Sequence, residues 1–368
     1  MNAFKIGDLT VPIPIIQGGM GIGISLSGLA SAVANMGGIG VISSVGIGFI
    51  DGADRGSPRK RNIEAIRQEI RKARQATKGI LGVNIMSVIT DFSDMVRTSI
   101  EEGIDIIFSG AGMPLDLPRY LSKDSKTRLA PIVSSARAAA ILCRKWKQNF
   151  DYLPDALVVE GPKAGGHLGF KNSQLQEKDH TLEKLVSDVA EVSREMKDKY
   201  QKEIPVIAAG GIYTGNDMYE IMQKGASAVQ LGTRFVATEE CDASPAFKDT
   251  FVKARSEDVR IIKSPVGMPG RTISNTFLDE AEAGQRRPAV CKYHCIKSCD
   301  PKTTTYCIAN ALIAAYKGNL SDGFAFTGTN VYQVKGISTV PKIFQELQDE
   351  YRVASLQNLI KTKTYAYG

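Results

Sequence analysis

The sequence lacks an uninterrupted hydrophobic run of the roughly 20 residues that a membrane-spanning helix requires, so no membrane span is expected. Its first residues, Met1 to Thr10, contain no basic segment followed by an apolar one, and without a signal peptide a cytoplasmic location is expected. A dominant charge is missing too. The net charge of +7 over 368 residues is too small and too dispersed to argue for nucleic acid, though it suits an anionic cofactor or substrate. The densest basic stretch, Arg55 to Lys78, has Glu64 and Glu69 interspersed and reads as the solvated face of a helix, or as a landing site for an acidic carrier protein. No G-x-G-x-x-G turn opens a helix after a strand, which argues against a resident dinucleotide. Structural disulfides are not expected of the six cysteines in a reducing compartment.

What is present is a rhythm. Short, continuous apolar runs alternate with longer amphipathic ones. Strands are expected at Ile13–Gln17, Ile39–Ser43, Ile80–Ile85, Ile104–Ser109, Ala130–Ser134, Asp155–Glu160, Ile204–Ala209 and Ala226–Leu231. Helices are expected between them, at Leu26–Met36, Lys60–Thr77, Asp91–Glu102, Ala136–Phe150, Thr181–Lys199 and Asn216–Lys224. Strands that do not alternate in polarity are covered on both faces, as in parallel sheets. Eight β/α units favour a closed (β/α)8 TIM barrel over an open doubly wound sheet. The rhythm breaks after Phe235. Residues 239–322 read as an inserted, mostly helical cap, and a helix near Val340–Leu359 returns to close the barrel, so that 1–238 and 323–368 form one domain.

In such barrels the functional loops follow the C-terminal strand ends, and the glycine motifs lie there. The first strand ends in Gln17-Gly18-Gly19-Met20-Gly21, the seventh in Ala209-Gly210-Gly211, the eighth in Gln230-Leu231-Gly232-Thr233. Glycine lets backbone N–H groups come close to a flat ring or a phosphate. The sixth strand ends in Glu160-Gly161-Pro162-Lys163-Ala164-Gly165-Gly166-His167. His167 is one of only three histidines, and its place on the active face makes it the candidate for proton exchange near neutral pH. His180 reads as a surface residue, and Asn84, at the end of the third strand, offers an amide to a heterocycle.

Taken together, QGGMG, GVNIM, SGAGMP, EGPKAGGHLG, PVIAAGGI and VQLGTRF resemble the nitronate monooxygenase family, formerly called 2-nitropropane dioxygenases. The set is also similar to the FMN-dependent type II enoyl-acyl-carrier-protein reductases, and the likeness covers about residues 8–250. The resemblance implies a noncovalent FMN. Gly18, Gly19 and Met20 would lie near its ring, Asn84, Glu160 and Gly165 would contact it, and Gly210, Gly211, Gln230, Leu231, Gly232 and Thr233 would hold its phosphate. His167 matches the family's active-site histidine, whereas Glu160 departs from the glutamine usual in the monooxygenases and leans toward the reductases. Three activities follow as expectations. The first is oxidation of alkyl nitronates by O2 to carbonyl compounds and nitrite. The second is reduction of an enoyl-acyl-carrier-protein or quinone, with NAD(P)H as a transient co-substrate. The third is a non-catalytic flavin or cysteine redox sensor. Beyond a small-molecule substrate, an acyl carrier protein and a second copy in a homodimer are the partners to consider.

The cap also contains Cys291-x3-Cys295-x3-Cys299-x7-Cys307. On a helix, steps of four would bring three thiols to one face. The cluster could hold zinc or an iron–sulfur cluster, pack the cap on the barrel, or form a redox-active pair. The spacing matches neither the common zinc patterns nor the bacterial ferredoxin run.

Overall fold

The computed structural model of the chain describes residues 1–50, 56–177, 180–288 and 290–366; Arg55, where the basic stretch begins, lies outside them. Eight strands form the barrel: β1 (Ile15–Gln17), β2 (Ile39–Ser43), β3 (Ile80–Met86), β4 (Ile106–Gly110), β5 (Arg128–Val133), β6 (Leu157–Glu160), β7 (Val206–Ala209) and β8 (Ala228–Leu231). Each pairs in parallel with its neighbours in sequence, and β8 closes on β1 through Gln230 opposite Ile16. The expected TIM barrel is therefore present.

The two faces of each strand explain the continuous apolar runs. Ile16, Ile39, Val41, Ile106, Phe108, Val158 and Ile207 point into the barrel and form its own core. The alternate residues, among them Ile15, Ile42, Ile107, Leu157 and Val159, face the surrounding helices. An antiparallel hairpin, Phe4–Ile6 with Leu9–Val11, adds Ile6 and Val11 to the barrel's inner core and was not anticipated from the sequence.

The surrounding helices are α1 (Ser27–Asn35), α2 (Pro58–Ala76), α3 (Phe92–Glu101), α4 (Ala136–Phe150), α5 (Leu182–Tyr200), α6 (Gly215–Met222) and the short α7 (Thr233–Val236). Side-chain caps fix several starts: Ser57, Ser135, Thr181 and Thr214 each accept from an N–H three residues on. The start of α1 carries no oxygen of its own. Asp242 supplies it from far along the chain, accepting from Leu26, Gly28 and Leu29 at 2.7, 3.1 and 3.1 Å. No helix among the described residues is long and apolar enough to cross a membrane.

Among the described residues the insertion carries three α-helices, α8 (Pro245–Lys253), α9 (Thr276–Glu282) and α10 (Ile308–Tyr316), and also an antiparallel hairpin, β9 (Val259–Lys263) with β10 (Pro269–Ile273). That hairpin extends to the barrel loops, because Gly270 pairs with His167 and Arg271 with Gly166. The last helix, α11 (Val340–Ala366), returns to pack on α6 and α1.

The cysteine segment corrects one expectation. Cys291, Cys295 and Cys299 do not lie on a helix. Pro288 and Pro301 bracket the segment, His294 takes the left-handed conformation (φ 46°), and Ile296 bridges to Ile89 on the loop after β3. Only Cys307 touches regular structure, as the residue that starts α10. Among the described residues no three His, Cys, Asp or Glu side chains are drawn together as ligands of a single metal ion.

Candidate active site

The C-terminal ends of the strands open into a pocket of about 280 Å3. Every residue picked out for cofactor or catalysis lines it: Gly18, Gly19, Met20, Asn84, Glu160, Gly165, His167, Gly210, Gly211, Gln230, Leu231, Gly232 and Thr233. The topology explains the convergence, since these residues end strands β1, β3, β6, β7 and β8 of one closed barrel.

Glycine is required at specific points. At Gly19 a Cβ would stand 2.3 Å from the Asn84 Cβ, so the first loop can lie on the third strand only without a side chain. Gly210 and Gly211 adopt φ of +91° and +88°, and a Cβ on Gly211 would meet the Lys163 Cβ at 2.8 Å. Gln17, buried beneath this floor, ties β1 to β2 by accepting from the Val41 N–H at 3.0 Å and donating to its carbonyl at 3.2 Å.

His167 is held from two sides. Its Nε2 lies 2.7 Å from the Ser264 Oγ, and its ring packs against Phe326 at 4.8 Å between centroids. Ser264 is buried at the end of the hairpin and accepts from the Val266 N–H at 3.3 Å. Burial pushes the His167 pKa down to about 4, so the ring is neutral at physiological pH.

Glu160 behaves in the opposite sense. Burial raises its carboxyl to about 7, against the pull of the Arg271 guanidinium, which lowers it. Arg271 is itself only 6% exposed and donates to the Ala164 carbonyl; burial lowers it to about 10 while Glu160 raises it. Glu160 and His167 also line a second cavity, of about 510 Å3, between the ends of β4, β5 and β6.

The pocket suits a planar, hydrogen-bonding group. The side chains of Asn84, Glu160 and Gln230 line it without a hydrogen bond from protein among the described residues, which leaves donors and acceptors for a ligand. Ile22, Phe324, Phe326, Ile308 and Leu312 supply apolar walls. Lys163 adds a cation beside the Gly210-Gly211 turn, and Asn330 steadies that turn by donating to the Gly211 carbonyl at 2.8 Å.

Ser264, Arg271, Lys163, Phe326 and Asn330 were missed from the sequence. For the first two a signal existed. Val259–Lys263 and Arg271–Ile273 are β-rich runs on either side of Ser-Pro-Val-Gly-Met-Pro-Gly, a hairpin pattern. Nothing local reveals that such a hairpin meets a loop about a hundred residues earlier.

A family model described as nitronate monooxygenase matches residues 2–350. A probable nitronate monooxygenase of Staphylococcus aureus is 26% identical, over 74% of this chain and 78% of its own length. A Mycobacterium tuberculosis protein named as a (3aS,4S,5R,7aS)-5-hydroxy-7a-methyl-1-oxo-octahydro-1H-indene-4-carboxyl-CoA dehydrogenase is 27% identical over 74% of this chain; the match spans 66% of that protein, a little under two thirds. Among solved structures, FabK from Thermotoga maritima has a TM-score of 0.73 at 29% identity, covering 96% of both chains. A nitroalkane oxidase from Streptomyces ansochromogenes has a TM-score of 0.71, over 94% of this chain and 98% of its own; at 20% identity it speaks to the fold alone.

Proposed function

The chain belongs to the nitronate monooxygenase family and is an oxidoreductase of the FMN type, and within that class we propose that it oxidises alkyl nitronates with O2 to a carbonyl compound and nitrite. The observation that carries this reading is the neutral His167, fixed by Ser264 at 2.7 Å in a pocket where the side chains of Asn84, Glu160 and Gln230 make no hydrogen bond to protein among the described residues.

When bound, FMN supplies the electron transfer to and from substrate and O2. Gly18, Gly19, Met20, Asn84, Glu160 and Gly165 would hold its ring system, and the turn at Gly210 and Gly211 with the run from Gln230 to Thr233 would hold its phosphate, with Lys163 adding positive charge. With Nε2 of His167 engaged by Ser264, Nδ1 is the atom left to accept a proton from a nitroalkane or to hydrogen-bond a nitronate oxygen. Phe324, Phe326, Ile308 and Leu312 keep water from the reacting carbon.

A second reading has support of its own. Glu160 departs from the monooxygenase pattern, and the adjoining 510 Å3 cavity has more room than a small nitronate needs. Both suit a reductase that takes hydride from transiently bound NAD(P)H and passes it to an enoyl thioester, on an acyl carrier protein or coenzyme A, or to a quinone. The relative named as a carboxyl-CoA dehydrogenase points the same way. Anaerobic mixing of the flavin-loaded protein with ethyl nitronate, NADH or NADPH separates the two readings by which compound bleaches the flavin.

A further inference from the structure

Ser264 does more than hold the His167 ring in place. Its hydroxyl carries one hydrogen and two lone pairs. At 3% exposure that hydrogen needs an acceptor within the protein. Two groups hydrogen-bond the Oγ atom among the described residues. The Val266 N–H donates to it at 3.3 Å, which occupies a lone pair and leaves the hydrogen unplaced. The other is Nε2 of His167, at 2.7 Å.

Other routes for the hydrogen are closed. No carbonyl or carboxylate among the described residues accepts from the Ser264 hydroxyl. The Tyr306 hydroxyl is close by, but it is buried, outside hydrogen-bond geometry, and has a hydrogen of its own to place. Turned toward Ser264 as a donor, it would fill the second lone pair and make the same demand on the Ser264 hydrogen. A neutral imidazole holds a hydrogen on one nitrogen and a lone pair on the other. His167 is neutral: neither ring nitrogen meets a carboxylate within hydrogen-bond distance among the described residues, and burial opposes the charge. A ring with its hydrogen on Nε2 would aim it at the Ser264 oxygen and strand the Ser264 hydrogen in the core. A ring with its lone pair on Nε2 accepts that hydrogen and satisfies both groups.

We infer that Ser264 donates to Nε2 and so holds His167 as the tautomer with its hydrogen on Nδ1, which makes the ring a hydrogen-bond donor to a substrate oxygen and not the base that takes a proton from carbon. Nδ1 makes no hydrogen bond to protein among the described residues, and the ring lines the flavin pocket. The anionic oxygen of a nitronate is an acceptor that fits such a donor. That part rests on the nitronate reading; the tautomer follows from Ser264 alone. A carboxylate at this position would accept from the ring instead and move the lone pair to Nδ1. The residue on the inserted hairpin therefore selects which chemistry the histidine can do.

Full-length, flavin-loaded protein with nitrogen-15-labelled histidine is studied by long-range proton–nitrogen correlation at neutral pH. No substrate is present, so the spectrum does not depend on what the pocket turns over. The chain has three histidines, and the His167 signals are those lost in His167→Ala. A protonated Nδ1 and a bare Nε2 are expected at His167. In Ser264→Asp the pattern is expected to reverse. Ser264→Ala, which adds no charge and serves if the aspartate variant does not fold, is expected to shift toward the Nε2-protonated form that free histidine favours. His167→Asn sets an amide N–H near the place of Nδ1. It is expected to keep kcat/KM on ethyl nitronate within about tenfold of the wild type, while His167→Ala loses about a hundredfold. A bare Nδ1 in the wild type, or hydrogens on both nitrogens, overturns the tautomer, as does a pattern unchanged in both Ser264 variants. His167→Asn no better than His167→Ala overturns the donor role.

Discussion

The Nε2 atom of His167 and the Oγ atom of Ser264 lie 2.7 Å apart although 97 residues separate them in the chain. The contact joins the loop after β6 to the tip of the inserted hairpin, and it sets which ring nitrogen faces substrate. Ser264→Ala removes the anchor and leaves the ring on Phe326 alone. We expect kcat on a nitronate to fall about tenfold, with the flavin content unchanged and KM moving less. Equal losses in flavin and in kcat would show that Ser264 serves folding and not the orientation of His167.

The pH dependence follows from Glu160 and His167. Glu160 is protonated below about pH 7 and ionised above it, because burial raises the carboxyl against the pull of Arg271. His167 stays neutral down to about pH 4. The kcat profile should therefore show one limb near pH 7, belonging to Glu160, with His167 contributing none above about pH 4. Glu160→Gln should abolish that limb. Arg271→Met, by removing the charge that stabilises the carboxylate, should move it to higher pH. A limb that survives in Glu160→Gln assigns the titration to another group.

Retention of the cofactor tests the glycine turn. Gly211 has φ +88°, and a methyl group there would meet the Lys163 Cβ at 2.8 Å. Gly211→Ala should shift both the turn and Lys163 and weaken flavin binding by at least about tenfold, read by fluorescence on dilution. Undiminished binding would remove this turn from the phosphate site.

The barrel was legible because parallel strands covered on both faces give continuous apolar runs, and the breaks between such runs fell within two residues or so of the strand ends. The pocket was legible because glycine pairs and His167 sit at those ends. Tertiary pairing was not. The strands β9 and β10 bring Ser264 and Arg271 to the site only through the register of Gly270 with His167. The cysteine spacing suggested a helix, but Pro288, Pro301 and the backbone of His294 turn the segment into a loop.

Asp242 offers a test of the fold itself. It caps α1 by accepting three N–H groups from residues far earlier in the chain. Asp242→Ala leaves those donors unpaired and should cost about 1–3 kcal/mol in urea unfolding. A change under about 0.5 kcal/mol would mean that water replaces the cap at no loss.

The central claim is the direction of electron flow into the pocket. The purified flavin-loaded protein, free of oxygen, is mixed with ethyl nitronate, and the loss of flavin absorbance near 450 nm is followed, with NADH and NADPH in parallel. Bleaching by the nitronate, with nitrite formed once oxygen is admitted, and slowed in His167→Ala, is the predicted result. Rapid bleaching by a nicotinamide together with no response to the nitronate would contradict it and identify a reductase.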